Sequence, residues 1–205
     1  MARKTKEDAE QTRLAILDSA LQTFYEKGFS RTTFDEIAKR INLTKGAVYW
    51  HFRNKADIVA ALIMHKVAQD NNVGLEQNIN TIEDLKSALF QRAEIIEQDA
   101  ELKRFLFFMI YRMEWSEAVL DNVWKQVGDI IDIPRKKLYD CLLHIQQNGA
   151  IKPEVNIDDL YNVLLCFWKG CVDNYIAGRG LDVNLSNVII KGFDFIMAGV
   201  KVENN

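Results

Sequence analysis

Proline is nearly missing from this chain, with two in 205 residues, and glycine numbers only ten. That scarcity excludes collagen-like and proline-rich linker architectures, and it leaves long helices uninterrupted. The three cysteines, Cys141, Cys166 and Cys171, are odd in number and lack CxxC spacing. They exclude a disulfide framework and a cysteine-based zinc site, and they fit a reduced cytoplasm. Strongly apolar runs are short as well. The longest, Phe105 to Tyr111, is far below the ~20 residues that a membrane span requires. The first thirty residues set Arg3, Lys4 and Lys6 directly against Glu7, Asp8 and Glu10, so no secretory signal is expected. Nucleophile elbow, dinucleotide or phosphate loop, HExxH and Cys/His metal spacings are all missing, and His51, His65 and His144 are scattered. These absences argue against an enzyme, and no cofactor or metal is expected.

What is present is an ordinary soluble composition, 48% hydrophobic and 27% charged, sufficient to bury a real core. The net charge of −3 argues by itself against a nucleic-acid partner, but its distribution is uneven. Residues 1–55 hold eleven Lys and Arg against seven Asp and Glu, whereas the remainder holds fifteen against twenty-two. A basic, anion-binding segment joined to an acidic body is the reading this asymmetry suggests.

Apolar periodicity predicts helices throughout. Leu14, Leu17, Leu21 and Phe24 recur at helical spacing over residues 6–27, with Gly28 as the stop. Thr33 with Glu36 forms a capping-box pattern that opens a short helix through Ile37 and Ala38. Asn42 then suits the left-handed conformation of a tight turn, and Thr44 caps a second short helix. Asn54 with Asp57 starts a longer helix at Lys55. Two short helices this close must cross steeply and share a cover from the first one, which is the helix-turn-helix arrangement. Further helices are expected over 81–99, 102–115, 117–148 (bent near Pro134), 158–177 and 186–200. The fold class is therefore all-α: an N-terminal three-helix helix-turn-helix domain, residues 1–55, and a C-terminal helical domain, residues 56–205.

The segment "LTKGAVYWHFRNKADIVAAL" places four aromatic rings, Tyr49 to Phe52, in one row between cations. On a helix starting at Lys45, Val48 and Phe52 turn to the core, while Gly46, Tyr49 and Trp50 project the other way with Lys45 and His51 on the flanks. Ammonium, phenol, indole and imidazole groups all attract phosphate or base-edge atoms, and Gly46 lets a surface approach the backbone.

These residues carry a resemblance. The stretch "FSRTTFDEIAKRINLTKGAVYWHFRNKADIVAAL" resembles the TetR/AcrR family of bacterial repressors, and the opening "MARKTKEDAEQTRLAILDSAL" is similar to the branch that represses multidrug efflux pumps. The resemblance covers roughly the first third of the chain. It implies a homodimer whose second motif helix enters the major groove of operator DNA. Carried over by position, Lys45, Gly46 and Ala47 would lie near base edges, with Tyr49, His51 and Lys55 on phosphates. Thr33 and Thr44 would reach the backbone through their caps, and Trp50 would pack against sugar and phosphate. Lys45 is the expected direct reader, since lysine pairs with guanine acceptors in that groove. Arg3, Lys4 and Lys6 are either a phosphate-binding arm or plain surface.

The resemblance also implies that residues 56–205 form a ligand-binding and dimerisation domain, with a ligand cavity and a dimer seam made by the last two helices. For the seam the sequence offers two apolar stripes, Leu160, Leu164, Phe167 and Cys171, and Ile189, Phe193, Ile196 and Val200, with Gly170 permitting close approach. For the cavity it offers Leu106, Met109, Ile110 and Met113, faced by Leu165 and Trp168 and closed by Ile63 and Val67. Methionine and aromatic linings suit promiscuous apolar or amphipathic effectors. Glu114, Asp140 and His144 are candidate partners for a cationic one. The expected function is a ligand-responsive repressor of an efflux system. A regulator of a metabolic or stress operon, or a helical adaptor, stays open as the alternative.

Overall fold

The computed structural model describes residues 6–70, 79–178 and 184–202. Arg3 and Lys4, candidates for a phosphate-binding arm, lie outside them. The described chain is helical almost throughout, with a single isolated β-bridge between Ile151 and Lys201. The helices are α1 (Lys6–Lys27), α2 (Phe34–Arg40), α3 (Lys45–His51), α4 (Lys55–Asp70), α5 (Ile82–Gln98), α6 (Ala100–Phe107), α7 (Glu117–Gln147), α8 (Ile157–Ala177) and α9 (Leu185–Val200), with a π-helical turn at Phe108–Arg112. No helix among them is long and apolar enough to cross a membrane. Two compact units divide the chain: Met1–Lys66 with Arg104–Gly128, and Val67–Lys103 with Asp129–Asn205.

The first unit is built on a buried row along α1: Ile16, Leu17, Ala20, Leu21 and Phe24. Ile37 of α2, Val48 of α3 and Ile58 and Leu62 of α4 are equally buried. Ser19, also buried, donates its hydroxyl to the Ile37 carbonyl at 2.8 Å, which ties α1 to α2. The Phe24 ring stacks on Phe108 with centroids 4.9 Å apart and planes 11° from parallel. The sequence predicts one helix over 102–115, but the structure turns π-helical at Phe108, where the Met113 N–H reaches back five residues to the Phe108 carbonyl at 2.8 Å. The wider turn leaves the Arg112 carbonyl to accept the N–H of Phe29 at 3.1 Å.

The second unit centres on Leu85, Leu142, Ile145 and Ile151, all fully buried, with Leu160, Leu164, Phe193 and Met197 packed into the same cluster. Helix α9 lies against both α5 and α8. Close approach of α8 and α9 occurs at Gly192: a Cβ there would stand 2.1 Å from the tip of the Phe167 ring, so the ring occupies the space a side chain would fill. At Gly170, expected to play that part, a Cβ would meet nothing within 4 Å. Glu97 at the end of α5 accepts the Leu185 N–H at 2.5 Å and thereby satisfies the first turn of α9. Helix α7 continues through Pro134 and ends where Gly149 takes φ +78°. Hydrogen bonds from Ala150 to Ile145 and from Gly149 to Gln146 complete its left-handed stop.

Candidate nucleic-acid interface

The geometry of the reading helix is set by its caps. Thr33 accepts the Glu36 N–H at 3.3 Å while the Glu36 carboxylate accepts the Thr33 N–H at 2.9 Å, a complete capping box. Lys27 adds an ion pair to Glu36 at 2.6 Å. That ammonium and the Thr33 N–H and hydroxyl together hold the Glu36 carboxyl well below the usual range, at about 2. Helix α2 ends with Asn42 at φ 54°, the only non-glycine residue with positive φ among the described residues. The Leu43 N–H returns to the Ala38 carbonyl at 2.9 Å and the Asn42 N–H to Lys39 at 3.3 Å. This paired closure fixes the angle at which α3 leaves. Thr44 then caps α3 by accepting the Ala47 N–H at 3.2 Å.

On α3 the aromatic row divides as its helical spacing predicts. Val48 and Phe52 are buried at 0% and 4%, whereas Tyr49 and Trp50 are 52% and 74% exposed. Tyr49 rests on the Phe34 ring, centroids 4.8 Å apart, so its ring is braced beneath while half of it faces solvent. Lys45 places its ammonium 5.6 Å from the Tyr49 ring centroid. Trp50 stands edge-on to His51 at 4.5 Å. Lys45 and Gly46 are exposed, Ala47 and His51 half-buried. A Cβ at Gly46 would come no closer than 3.8 Å to any atom, an ordinary contact. The fold therefore does not require glycine there, although glycine costs a helix about 0.5–1 kcal/mol relative to alanine.

Lys55 has a different setting from the one the resemblance implies. Its ammonium donates to the carbonyls of Phe29 at 2.5 Å and Ser30 at 2.9 Å and lies 4.6 Å from the Phe29 ring centroid. Burial pushes that ammonium below the usual lysine range, opposed in part by Glu114 and Glu36. Lys55 is thus held by the turn after α1. Thr33 likewise has its hydroxyl engaged with Glu36.

Sequence reasoning missed one cationic feature. Arg13 of α1, Arg53 before α4 and Lys125 of α7 line a cleft of about 500 Å³ together with His51 and Asp57. Asp57 organises it, accepting the Arg53 N–H at 3.1 Å and the Gln126 side-chain amide at 3.1 Å. The positive balance of residues 1–55 contained two of these cations. Lys125 could not be placed beside them without knowing where α7 packs.

The residues expected to hold an effector divide between the units. Ile63, Leu106, Met109, Ile110 and Met113 belong to the first, Val67, Leu165 and Trp168 to the second. Leu165 and Trp168 line an apolar cavity of about 130 Å³ within the second unit, with Leu89, Pro134, Leu138 and Leu164. Two guanidinium groups, Arg92 and Arg135, complete the wall. Glu114 instead accepts the Ser30 hydroxyl, and His144 faces Asn148 at 3.1 Å. Of the residues expected in a dimer seam, Leu160, Leu164, Ile189 and Phe193 are buried within the unit's own core. Phe167, Cys171, Ile196 and Val200 are half-buried, while Phe195 of α9 at 81% and Val163 of α8 at 50% are exposed large apolar residues. Among the described residues no cluster of His, Cys, Asp or Glu is gathered for a metal ion.

Comparison with known proteins now bears on this geometry. Residues 16–62 match the family described as "Bacterial regulatory proteins, tetR family". The HTH-type transcriptional regulator AcrR of Shigella flexneri is 50% identical over 62 residues, 30% of this chain and 29% of that protein. The probable HTH-type transcriptional regulator ArpR of Pseudomonas putida is 25% identical over 181 residues, covering 86% of this chain and 85% of its own. Among solved structures, NalD of Pseudomonas aeruginosa, described as the secondary repressor of the MexAB-OprM multidrug efflux pump, superposes with a TM-score of 0.77. It is 21% identical, with 97% of this chain and 100% of that one covered. The capped turn-and-helix at residues 33–52 thus lies inside the segment, residues 16–62, that is a regulatory domain of the tetR family.

Proposed function

We propose that the protein is a cytoplasmic, ligand-responsive transcriptional repressor that binds a palindromic operator as a homodimer and controls a multidrug efflux system. The observation that carries this reading is the division of α3, with Val48 and Phe52 buried and Lys45, Gly46, Tyr49 and Trp50 facing solvent. A helix anchored on one side and offering cation, amide backbone and aromatic groups on the other suits entry into a major groove. Lys45, with Gly46 and Ala47, reads base edges; Tyr49, Trp50 and His51 meet the sugar–phosphate backbone, and Thr44 brings its helix terminus to it. Arg13, Arg53 and Lys125 are added as phosphate contacts, while Lys55 and Thr33 act chiefly by positioning.

The homodimer joins through α8 and α9. Because Leu160, Leu164, Ile189 and Phe193 are already covered within one chain, the outward residues Phe195 and Val163 are the better anchors of that seam. The efflux target is supported by the likeness to NalD, described as a repressor of a multidrug efflux pump. Effector binding in the second unit acts through α4 and α7, whose residues run from one unit into the other. An effector changes operator affinity only by its differential affinity for the two states.

Fluorescence anisotropy with duplex DNA from upstream of the chain's own gene tests the reading. Specific binding over a scrambled duplex, weakening steeply with salt, supports it. Equal affinity for both duplexes contradicts it.

A further inference from the structure

The geometry points to Gln126 of α7 as a positioning residue for the reading helix, one that governs operator affinity without touching DNA. This inference rests on the proposed reading through α3 and deepens it. The two ends of α3 are fixed by different means. At its start the turn after α2 closes on nearby residues, through the Leu43 N–H on the Ala38 carbonyl and the Thr44 cap on the Ala47 N–H. At its end the chain leaves the helix at Phe52, where the backbone is extended, and α4 begins at Lys55. Asp57 closes that second turn. Its N–H donates to the Asn54 side-chain oxygen at 2.9 Å, and its carboxylate accepts the Arg53 N–H at 3.1 Å.

Asp57 is itself held from 69 residues away. The Gln126 side-chain amide donates to its other carboxylate oxygen at 3.1 Å. The same nitrogen stands 3.2 Å from the Asn122 carbonyl and 2.9 Å from the Asn122 side-chain oxygen, one turn back on α7. An amide nitrogen carries two hydrogens, so one is spent within α7 and the other reaches Asp57. Both carboxylate oxygens are thereby engaged, one by the turn and one by α7. Without Gln126 the carboxylate turns freely about its last torsion, whose preferences are broad, and the Arg53 N–H loses a fixed acceptor. Arg53 directly follows buried Phe52, so the slack falls on the end of α3 that carries Tyr49, Trp50 and His51. One exposed hydrogen bond adds little to global stability. Its effect is on the placement of α3.

The test compares the full-length parent with Gln126→Met and with the double variant Gln126→Glu, Asp57→Asn. Methionine keeps the length of the side chain and removes the donor. In the double variant amide and carboxylate change places: the amide at position 57 accepts the Arg53 N–H and donates to the carboxylate at position 126. All three proteins carry the same net charge, so differences in DNA affinity do not come from added or lost charge. Gln126→Met is expected to bind operator roughly 3–10-fold more weakly, the worth of one hydrogen bond, with the slope of log affinity against log salt unchanged. The double variant should recover most of that loss. Hydrogen exchange of the DNA-free proteins, followed at the Arg53 amide, should be faster in Gln126→Met and restored in the double variant. Circular dichroism reports folding, and Gln126→Ala repeats the first arm should methionine perturb it. The inference is overturned if Gln126→Met binds operator like the parent, or if the double variant binds no better than Gln126→Met. A salt slope that falls together with the affinity also overturns it, since Gln126 would then touch phosphate. A parent that binds no operator refutes the repressor reading alone. Exchange at Arg53 then decides the inference: a response to Gln126→Met upholds the hold on the turn, and indifference overturns it.

Discussion

Lys55→Ala separates two roles that the sequence alone assigns differently. If the lysine holds α4 against the turn after α1, its loss removes two charge-assisted hydrogen bonds, to Phe29 and Ser30, and a ring contact. Hydrogen bonds to charged groups contribute ~1.5–3 kcal/mol each when well buried. Ser30 is exposed and water can replace that partner, whereas Phe29 is buried. The net cost is therefore set near the value of one such bond, roughly 2 kcal/mol. For a chain of this size that lowers the melting temperature by about 4–8 °C. The assay is urea unfolding followed by far-UV circular dichroism, with DNA affinity of the same variant measured across a salt series. A positioning lysine leaves the slope of log affinity against log salt nearly unchanged, while a phosphate contact lowers it by about one per protomer. Parent-like stability together with the full loss of slope would refute the reasoning.

Other perturbations follow from the same geometry. Gly46→Ala should fold as well as the parent or slightly better, because its Cβ meets nothing closer than 3.8 Å, yet weaken operator binding by removing room for close approach; unchanged affinity would remove Gly46 from the interface. The Glu36 carboxyl is depressed to about 2 by Lys27 and Thr33, so its stabilisation is complete above the unfolded carboxyl range, near ~4.3, and is lost as pH falls through the folded value. The stability gap between parent and Glu36→Gln should accordingly narrow between about pH 4.5 and 2, and a gap constant with pH would contradict the assignment. Gly192→Ala should expel the Phe167 ring and destabilise the second unit by about 1–3 kcal/mol in denaturant unfolding. Phe195→Lys should shift the species seen by light scattering from dimer to monomer without loss of helicity.

Much of the first unit was legible because its determinants are local. The Thr33–Glu36 box, the left-handed Asn42 and the Thr44 cap each act within a few residues, and together they fix where α2 stops and α3 begins. The split of Tyr49 to Phe52 between core and solvent needs only helical periodicity. What escaped depends on contacts distant in sequence. Lys55 reads as a free cation until the carbonyls of Phe29 and Ser30 are seen beside it, and Lys125 joins Arg13 and Arg53 only through the packing of α7. Gly170 and Gly192 look equivalent in sequence, but only the second faces a ring. The π turn at Phe108 has no signature in hydrophobic periodicity, which continues through it. Apolar stripes on α8 and α9 were visible, but whether a stripe serves the chain's own core or a partner is decided by the neighbours it meets.

The central claim is that the exposed face of α3 enters the major groove of a symmetric operator. Dimethyl sulfate probing addresses it directly, because methylation of guanine N7 reports that groove and methylation of adenine N3 reports the minor one. The account predicts two patches of guanine protection centred about one helical turn, roughly 34–36 Å, apart, with one guanine in each regaining reactivity in Lys45→Ala. Protection confined to adenine N3, or a guanine pattern indifferent to Lys45, would contradict it.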